Sequence, residues 1–438
     1  MRLTCERMTY GCDAIAHTDG GKTVFVSGGL AGDVVDATIT SDGKSFSRAR
    51  VDSVVQPSPD RVTSACPLSA VCGGCPWASL ARPAQLAAKQ ANVEDALTRT
   101  GHLPQELVDQ VLRPIEDPGP AWGYRNKVEL AFQRRGGRAL VGMHAAASDS
   151  IVKVTTCPLL SHSHSKLVKS VSGSLAYLAG SHDLALDRVG IRASDATGDV
   201  EVALWGPSGA FPRGQASRVL APVKATSVVR VMTRGPEKAR RIAGVERLSG
   251  TGSWHERVLG EDMRLSAPSF FQVNTKGAER LVELVLEGLA PADDDVAMDL
   301  YSGAGTFTLP LARRCSYVAA VESYGPAVRD LRRNLESSGL DNVDAVGGDA
   351  DREFPDEDAD VIVVDPPRAG LAPHVVEQLS ATGARAIAYV SCDPATLARD
   401  LARFREAGTF EPVSLTPVDL FPQTFHVECV TILARAQH

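Results

Sequence analysis

From Ser269 onward the chain alternates strand-like and helix-like segments, and this order restricts the fold more than any other feature of the sequence. Strand-like runs of β-branched and small apolar residues lie at 296–300, 317–321, 360–364 and 385–391. Helical patterns follow near 306–314, 326–338 and 395–407. Repeated βα order predicts an α/β domain with a doubly wound parallel sheet, whose ligand binds beyond the carboxyl ends of its strands.

The chain before Ser269 has a different texture. Short β-branched runs at 23–27, 33–40 and 49–55, separated by glycine turns, predict a small N-terminal β-barrel. A helical pattern covers 83–100, and strand-like runs dominate 127–231, which predicts a mostly β central domain. We therefore divide the chain into three domains, at 1–60, 61–268 and 269–438.

The charge of the chain is unevenly distributed. Its net charge of −7 would by itself argue against a nucleic-acid partner, because binding phosphates needs clustered Lys and Arg. Basic residues, however, outnumber acidic ones at 120–169 and 206–241, whereas 290–365 is acidic. This pattern suits an RNA platform joined to a cofactor domain, and the alternative is a pair of ordinary solvated faces.

Two kinds of segment are missing from the sequence. No run of eighteen apolar residues occurs, and the first thirty residues lack the apolar stretch of a signal peptide. We therefore expect a soluble, cytoplasmic protein with no membrane partner.

A glycine-containing loop, 299–306, follows the first strand of the C-terminal domain and opens a helix. Gly303 and Gly305 let the backbone pass close to a ligand, although Thr308 replaces the third glycine of a dinucleotide fingerprint. Glu322 ends the next strand, where a carboxylate can accept hydrogen bonds from both ribose hydroxyls. Nicotinamide enzymes and methyltransferases share this arrangement, and a glycine-rich packing turn is the remaining alternative.

The segment Asp365-Pro366-Pro367-Arg368 closes the strand at 360–364. Its prolines fix the backbone and leave Asp365 directed into the crevice at the strand ends. An Asp-Pro-Pro segment at this place favours methyl transfer over hydride transfer. The alternative is a strand-terminating turn with a capping Asp.

Cys392 follows the strand at 385–391 and directly precedes a helix. A helix N-terminus lowers the pKa of a nearby thiol, so we expect a reactive thiolate. Such a thiolate suits methylation of uracil carbon 5, which is too poor a nucleophile until carbon 6 has been attacked. The alternative is a buried cysteine that acts only as a small hydrophobe.

The base that removes the carbon 5 proton should lie on a neighbouring strand. The strand-like run 426–430 offers Glu428, with His426 as a weaker candidate. A glutamate between Val427 and Cys429 is rarely buried without a partner or a task. The alternative is a glutamate on an exposed strand face.

Four of the nine cysteines have a spacing typical of a metal site, namely Cys66, Cys72, Cys75 and Cys157. Four thiolates can hold zinc or a 4Fe-4S cluster. The Gly-Gly pair between the second and third cysteines lets backbone amides approach inorganic sulfides, which favours iron. A metal here would join the segment after residue 60 to the central domain.

Taken together, these motifs resemble the bacterial RNA 5-methyluridine methyltransferases, and in particular the branch with an N-terminal TRAM domain and an iron-sulfur cluster that methylates 23S ribosomal RNA. The resemblance spans nearly the whole chain. It is carried by the four cysteines and by Phe25-Val26, Gly32-Asp33, Ser58-Pro59-Asp60-Arg61, Tyr124-Arg125-Asn126-Lys127, Ser269-Phe270-Phe271-Gln272-Val273-Asn274, the loop 301–306, Asp365-Pro366-Pro367-Arg368-Ala369-Gly370 and Tyr389-Val390-Ser391-Cys392-Asp393-Pro394.

The resemblance implies a class I methyltransferase fold and a role for each motif residue. It implies that S-adenosylmethionine is contacted by Gln272, Tyr301, Glu322 and Asp365. It implies that Cys392 is the nucleophile and Glu428 the base, and that a 4Fe-4S cluster is held by Cys66, Cys72, Cys75 and Cys157. It also implies an RNA partner, 23S ribosomal RNA before transfer RNA. We expect the cluster to have a structural or RNA-folding role, and the sequence leaves the oligomeric state open, with a monomer favoured.

Two positions depart from the family pattern. Thr306 stands where members often carry Asn, which puts one cofactor contact in doubt. Pro76-Trp77 replaces the usual polar residues after the third cysteine, and an exposed Trp77 would be able to stack on a base. The aspartate at 349, after a strand-like run, is a candidate for the adenine side of the pocket.

Four other functions fit parts of the sequence. The same chemistry could act on a transfer RNA uridine or on cytosine carbon 5. The chain could also be a non-catalytic iron-sulfur RNA-binding factor, or a nicotinamide oxidoreductase. The presence of all five residues Gln272, Glu322, Asp365, Cys392 and Glu428 speaks against a non-catalytic factor.

Overall fold

The computed structural model describes residues 1–135, 138–236, 240–356 and 358–436, and its strands form three large sheets and one hairpin. Residues 237–239 of the basic stretch and Glu357 of the acidic stretch lie outside the described residues. Among the described helices, none combines the length and the apolar composition needed to cross a bilayer.

The N-terminal sheet has six strands in the order β1-β5-β6-β4-β3-β2. In β4 the buried Val24 and Val26 alternate with less buried neighbours, the period-two pattern of a half-buried strand. The strands are β1 (Arg2–Thr4), β2 (Arg7–Met8), β3 (Asp13–His17), β4 (Thr23–Ser27), β5 (Val34–Asp42) and β6 (Phe46–Gln56). The sequence predicted the last three and missed the first three, of which β1 and β2 have only three and two residues.

Trp77 contradicts one prediction. Its side chain is fully buried in the core of the N-terminal sheet, and its indole N–H donates to the backbone oxygen of Gly11 at 3.1 Å. The suggestion that an exposed Trp77 could stack on a base is therefore wrong. Its large apolar surface closes the core of a small sheet instead.

Two helices lead to the central sheet, α1 (Arg82–Arg99), close to the predicted 83–100, and α2 (Gln105–Val111). The central sheet has seven strands in the order β13-β12-β11-β10-β7-β8-β9. They are β7 (Lys127–Arg135), β8 (Arg138–His144), β9 (Ile151–Lys153), β10 (Arg188–Ala193), β11 (Val200–Pro207), β12 (Ser227–Arg234) and β13 (Arg241–Gly250).

Helices α3 (Leu167–Ser181) and α4 (Arg213–Leu220), which the sequence did not predict, share a core with this sheet. Two 3₁₀ turns, His162–His164 and Ala221–Val223, stand beside them. The other face of the sheet carries a small apolar cluster that includes Trp205 and Val229. The central region is therefore mostly β, with helices over one face only.

A hairpin, β14 (Trp254–Val258) and β15 (Glu261–Leu265), and helix α5 (Thr275–Leu289) precede the third sheet. Its strands are β16 (Val296–Leu300), β17 (Tyr317–Glu322), β18 (Val343–Gly347), β19 (Val361–Val364), β20 (Ala386–Ser391), β21 (Phe410–Val418) and β22 (Glu428–Arg435). The helices between them are α6 (Thr308–Ala312), α7 (Gly325–Ser338), α8 (Pro373–Ala381) and α9 (Pro394–Ala407).

The order of the third sheet is β18-β17-β16-β19-β20-β22-β21. The first five strands in this order are parallel, which confirms the predicted doubly wound sheet, and β22 runs antiparallel between β20 and β21. The chain direction along the sheet reverses between β16 and β19, so these two strand ends form the topological switch point at which such sheets bind ligands.

A buried ion pair joins α1 to the loop between β21 and β22. The ammonium group of Lys89 donates to the carboxylate of Asp419, and neither side chain is exposed to solvent. Asp419 also accepts a hydrogen bond from Arg82, and the guanidinium group of Arg82 donates a second hydrogen bond to Asp117. Because Asp419 serves two cations, its removal leaves more buried charge uncompensated than removal of Lys89.

We predict that Asp419→Leu lowers stability by about 3–5 kcal/mol, since it leaves Lys89 buried without a carboxylate partner and leaves Arg82 with Asp117 alone. Lys89→Met should cost less because Asp419 keeps Arg82 as a partner. The midpoints of thermal unfolding of the two variants and the parent protein test this order. Equal midpoints for both variants would show that the pair with Lys89 carries the whole interaction.

Candidate active site

The loop after β16 adopts backbone conformations that favour glycine. Gly303 and Gly305 have φ angles of 58° and 102°, and Tyr301 has a φ of 66° although it carries a side chain. Glu322, the last residue of β17, accepts hydrogen bonds from the backbone N–H groups of Gly303 at 2.9 Å and Tyr324 at 2.5 Å. The loop is therefore held against a carboxylate at the switch-point edge of the sheet.

Two further carboxyl groups belong to the same crevice. Asp299 on β16 is fully buried; one oxygen accepts from the hydroxyl of Thr308 at 2.5 Å, and the other has no partner among the described residues. Burial and the nearby Glu322 raise the pKa of Asp299 to about 7. Burial, with Asp299 and Glu322, also raises the pKa of Asp365 to about 7. Such a pocket suits a ligand that brings hydroxyl donors or positive charge.

Gln272 lies just before α5 and is 7% exposed. The side-chain amide of Asn126 donates to the backbone oxygen of Gln272 at 2.9 Å, which ties this segment to the start of β7. The side-chain oxygen of Gln272 is buried and has no hydrogen-bond partner among the described residues. Because a buried acceptor without a partner costs free energy, this oxygen marks a place for a ligand donor.

Cys392 and Glu428 come from neighbouring antiparallel strands. Ser391, at the end of β20, pairs with Cys429 on β22, so one further step in the register sets Cys392 opposite Glu428. Cys392 is half-buried, and Glu428 is only 2% exposed. Burial raises the pKa of Glu428 well above its usual range, and the nearby Asp365 acts in the same direction. The structure therefore brings the two residues together, on adjacent strands as expected, and Glu428 does not lie on an exposed strand face.

The expectation of a lowered thiol pKa is wrong for this protein. Burial, together with the carboxyl groups of Glu428 and Asp365, raises the pKa of Cys392 to about 11. The N-terminus of α9 does not compensate, because the side chain of Asp393 accepts the N–H groups of Ala395 and Thr396, both at 3.0 Å. The backbone N–H groups of Ala395 and Thr396 that could have stabilised a thiolate thus already donate to Asp393.

One cation opposes this effect. Arg368 directly follows the Asp-Pro-Pro segment, and its positive charge near the Cys392 thiol lowers the pKa of that thiol. Arg368 is part of the Asp-Pro-Pro-Arg motif, but no feature of the sequence indicates its role at the thiol. The guanidinium group also lies 3.5 Å from Nδ1 of His426. Burial and this cation lower the pKa of His426 to about 4, so His426 is a weak proton acceptor compared with Glu428.

The N-terminal sheet reaches the same loop. The hydroxyl of Tyr10 donates to the backbone oxygen of Cys392 at 3.0 Å, across 382 residues of sequence. Its ring packs edge-on against Phe425, with 5.5 Å between the ring centroids. No local sequence pattern points to this contact, because Tyr10 lies in a short turn between two brief strands.

The remaining predicted residues lie at three places. Tyr301 and Asp349 line a second depression at the same edge of the third sheet, near α8 and α9. Thr306 is half-buried in the glycine loop. Cys66, Cys72, Cys75 and Cys157 line one cavity with apolar side chains that include Leu68, Met143 and Val154.

The cysteine cavity does not by itself establish a metal centre. Burial and the neighbouring cysteines raise the pKa of Cys75 to about 12. Within residues 1–135, 138–236, 240–356 and 358–436, no group of three or more His, Cys, Asp or Glu side chains is arranged to hold a metal ion. The iron-sulfur cluster remains a prediction.

Comparison with known proteins identifies the family. The profile of the tRNA (uracil-5-)-methyltransferase family matches residues 256–436, and the TRAM domain profile matches residues 1–51. An uncharacterized RNA methyltransferase of Gloeobacter violaceus is 35% identical over 98% of this chain and 95% of its own length. One from Thermosynechococcus vestitus is 33% identical over 96% of both chains.

This chain belongs to the tRNA (uracil-5-)-methyltransferase family of RNA methyltransferases, and it carries a TRAM domain. The family resemblance inferred from the motifs is thus confirmed, whereas the ribosomal target and the cluster are not tested. Among solved structures, the Pyrococcus abyssi tRNA (uracil-54, C5)-methyltransferase, crystallised with S-adenosyl-L-homocysteine, is similar with a TM-score of 0.76. At 24% identity over 99% of this chain and 100% of that one, it supports the methyltransferase fold.

The effect of neighbouring charges on the pKa of Cys392 can be tested in this protein by alkylation. We predict that Arg368→Gln shifts the pH profile of Cys392 alkylation to higher pH, because the thiolate loses its cation. Glu428→Gln should shift it to lower pH, because a carboxylate that raises the thiol pKa is removed. Iodoacetamide labelling followed by peptide mass spectrometry gives both profiles. Cys429, whose pKa burial raises well above its usual range, serves as the internal unlabelled control.

Proposed function

We propose that this protein transfers a methyl group from S-adenosylmethionine to carbon 5 of a uridine in RNA. One observation carries the proposal: a thiol and a buried carboxyl group lie opposite each other on β20 and β22, beside the carboxyl-lined crevice at the switch point. The family assignment supports RNA as the substrate.

The two residues have separate tasks in this reaction. The Cys392 thiolate adds to carbon 6 of the uracil, and the electron pair of the 5,6 double bond becomes available at carbon 5. S-adenosylmethionine supplies the methyl group that carbon 5 then takes. Glu428 removes the proton from carbon 5, the double bond re-forms, and the thiolate leaves. The raised pKa of Glu428 makes its carboxylate a stronger base than an exposed one.

The crevice fits the cofactor in polarity and charge. We assign the ribose hydroxyls to Glu322 and further contacts to Gln272, Tyr301 and Asp365. The side-chain oxygens of Gln272 and Asp299 that have no partner among the described residues can accept hydrogen bonds from the hydroxyl and ammonium groups of the cofactor. The carboxyl groups that raise one another's pKa are complemented by the positive charge of a sulfonium ion.

For the RNA we favour 23S ribosomal RNA, with a transfer RNA uridine as the alternative. The first choice rests on the resemblance of the four-cysteine pattern and TRAM domain to the ribosomal branch. The second is favoured by the similarity to a Pyrococcus abyssi enzyme that acts on uracil 54 of transfer RNA.

We also propose that the cysteine cavity holds a 4Fe-4S cluster with a structural role. The donor set is suitable, since Cys66, Cys72, Cys75 and Cys157 all face one apolar cavity. The backbone N–H of Gly73 donates to the oxygen of His144, so the loop between two of the cysteines is fixed to β8. A cluster would close this link between the cysteine segment and the central sheet.

We predict that the parent protein and Cys315→Ala, a cysteine remote from the crevice, form 5-methyluridine in unmodified bulk RNA with labelled S-adenosylmethionine. Cys392→Ala should be slower by about 10³-fold or more, since the nucleophile is lost. Glu428→Gln should retain RNA covalently, because elimination requires loss of the carbon 5 proton. Nucleoside analysis and denaturing gels give both readouts.

The outcomes of this experiment separate the alternatives. Equal methylation by the parent and Cys392→Ala would refute the nucleophile. Label in 5-methylcytidine would identify cytosine as the methylated base. Fractionating the RNA distinguishes ribosomal from transfer RNA substrates.

We predict that anaerobic reconstitution with iron and sulfide yields about four irons per chain in the parent protein. Cys157→Ser should lower iron content and reduce thermal stability, because the distant ligand joins two segments. Cys12→Ser, an exposed cysteine outside the cavity, is the matched control. Binding of zinc alone, with no iron retained, would contradict the cluster assignment.

A further inference from the structure

A long groove lies outside the catalytic crevice, on the face of the central sheet that carries no helix. It has a volume of about 920 Å³. Strand β13, which pairs only with β12 and forms the edge of its sheet, lies on one side, and the N-terminal half of α7 lies on the other. The groove therefore spans from the central sheet to the methyltransferase sheet.

The described lining of this groove is strongly basic. It contains no aspartate or glutamate, and its arginines are Arg188, Arg240, Arg241, Arg247, Arg329 and Arg333. In a protein of net charge −7, such a concentration of one sign is a specific feature and not a reflection of overall composition. The basic stretch 206–241 is visible in the sequence, but its proximity to the arginines of α7 arises only in the folded chain.

Three of these arginines already have acidic neighbours and three do not. Arg188 pairs with Glu129, Arg240 with Asp187, and Arg333 with Asp330. No ion pair involving Arg241, Arg247 or Arg329 occurs within the described part of the chain, and all three side chains are exposed. Their charges are thus available to an external anion.

The positions of these three arginines follow from local structure. Arg241 is the first residue of β13 and Arg247 is the seventh, and both belong to the exposed residues that alternate along this strand. Arg329 lies one helical turn before Arg333 on α7, so both side chains project from the same side of the helix. The charges therefore border the groove from both walls.

Aromatic residues accompany the arginines. The guanidinium group of Arg188 lies 4.1 Å from the centre of the Trp205 ring in the floor of the groove. Tyr324 is 38% exposed at the rim, and its backbone N–H donates to Glu322. The groove is thus adjacent to the cofactor loop, and it combines phosphate-binding cations with one exposed aromatic ring, Tyr324, the pairing found in single-stranded nucleic-acid sites.

We propose that this groove binds the sugar-phosphate backbone of an RNA segment that flanks the target nucleotide. The inference rests on the proposed function for the identity of the RNA as substrate, but the groove itself is defined by charge and shape. An acidic protein surface would also be attracted, yet the exposed Tyr324 and the continuity with the rim of the active site favour RNA.

The test removes the three unpaired arginines together. The groove variant is Arg241→Gln, Arg247→Gln and Arg329→Gln. The matched control is Lys166→Gln, Lys169→Gln and Arg218→Gln, which removes the same charge at exposed positions on or beside α3 and α4, over the opposite face of the sheet. Binding of a fluorescein-labelled 40-nucleotide oligouridine is measured between 50 and 200 mM salt, with Cys392→Ala added to each protein to prevent chemistry.

We expect the salt slope of log affinity to fall in magnitude by about 2 in the groove variant, since single strands lose about 0.7 per phosphate contact. The control should keep the parent slope. On unmodified bulk RNA, in proteins that retain Cys392, the groove variant should show a raised KM with an unchanged kcat, because the groove contains no reacting group.

An unchanged slope in the groove variant, or an equal loss in both variants, would overturn the proposal and leave an acidic protein as the occupant to examine. If the slope falls as expected but no protein forms 5-methyluridine, the groove stands as an RNA site while the proposed reaction fails. The two failures are therefore distinguishable.

Discussion

The antiparallel pairing of β22 with β20 is the constraint on which the rest of the site depends. If β22 ran parallel to its neighbour, its first residue would lie at the far edge of the sheet. Because it runs back, Glu428 starts the strand at the edge where β20 ends, directly before Cys392. The loop that makes this reversal also carries Asp419, which is held by two cations, and the aromatic side chain that supports Tyr10. One loop thus sets the base and anchors the N-terminal segments.

The crevice and the groove attract ligands of opposite charge. Carboxyl groups at the strand ends suit a positively charged cofactor, but they repel the phosphates of RNA. Attraction for RNA must therefore come from elsewhere on the surface, and the arginines of β13 and α7 provide it next to the cofactor loop. In this arrangement the net negative charge of the chain does not conflict with an RNA substrate.

Much of the third sheet could be predicted because its information is local. The βα periodicity gave β17 and α7 almost to the residue, and it placed Glu322 and Asp365 at strand ends. The helices α3 and α4 were missed in a region read as strands. Long-range contacts were also beyond the sequence: the burial of Trp77 depends on a distant sheet, and the contact of Tyr10 with Cys392 spans 382 residues. The prediction of a lowered pKa for the Cys392 thiol was wrong for the same reason, since Glu428 and Asp365 come from other strands.

The raised pKa of Cys392 is compatible with a nucleophile. With a pKa of about 11, only about one thiol in ten thousand is ionised at pH 7. The intrinsic nucleophilicity of a thiolate, however, increases with its pKa, so the rare ionised form attacks more readily than a thiolate of low pKa. A mostly protonated thiol is also less exposed to oxidation and alkylation. The positive charge of Arg368 favours the thiolate and so opposes burial and the carboxyl groups of Glu428 and Asp365, which favour the protonated thiol.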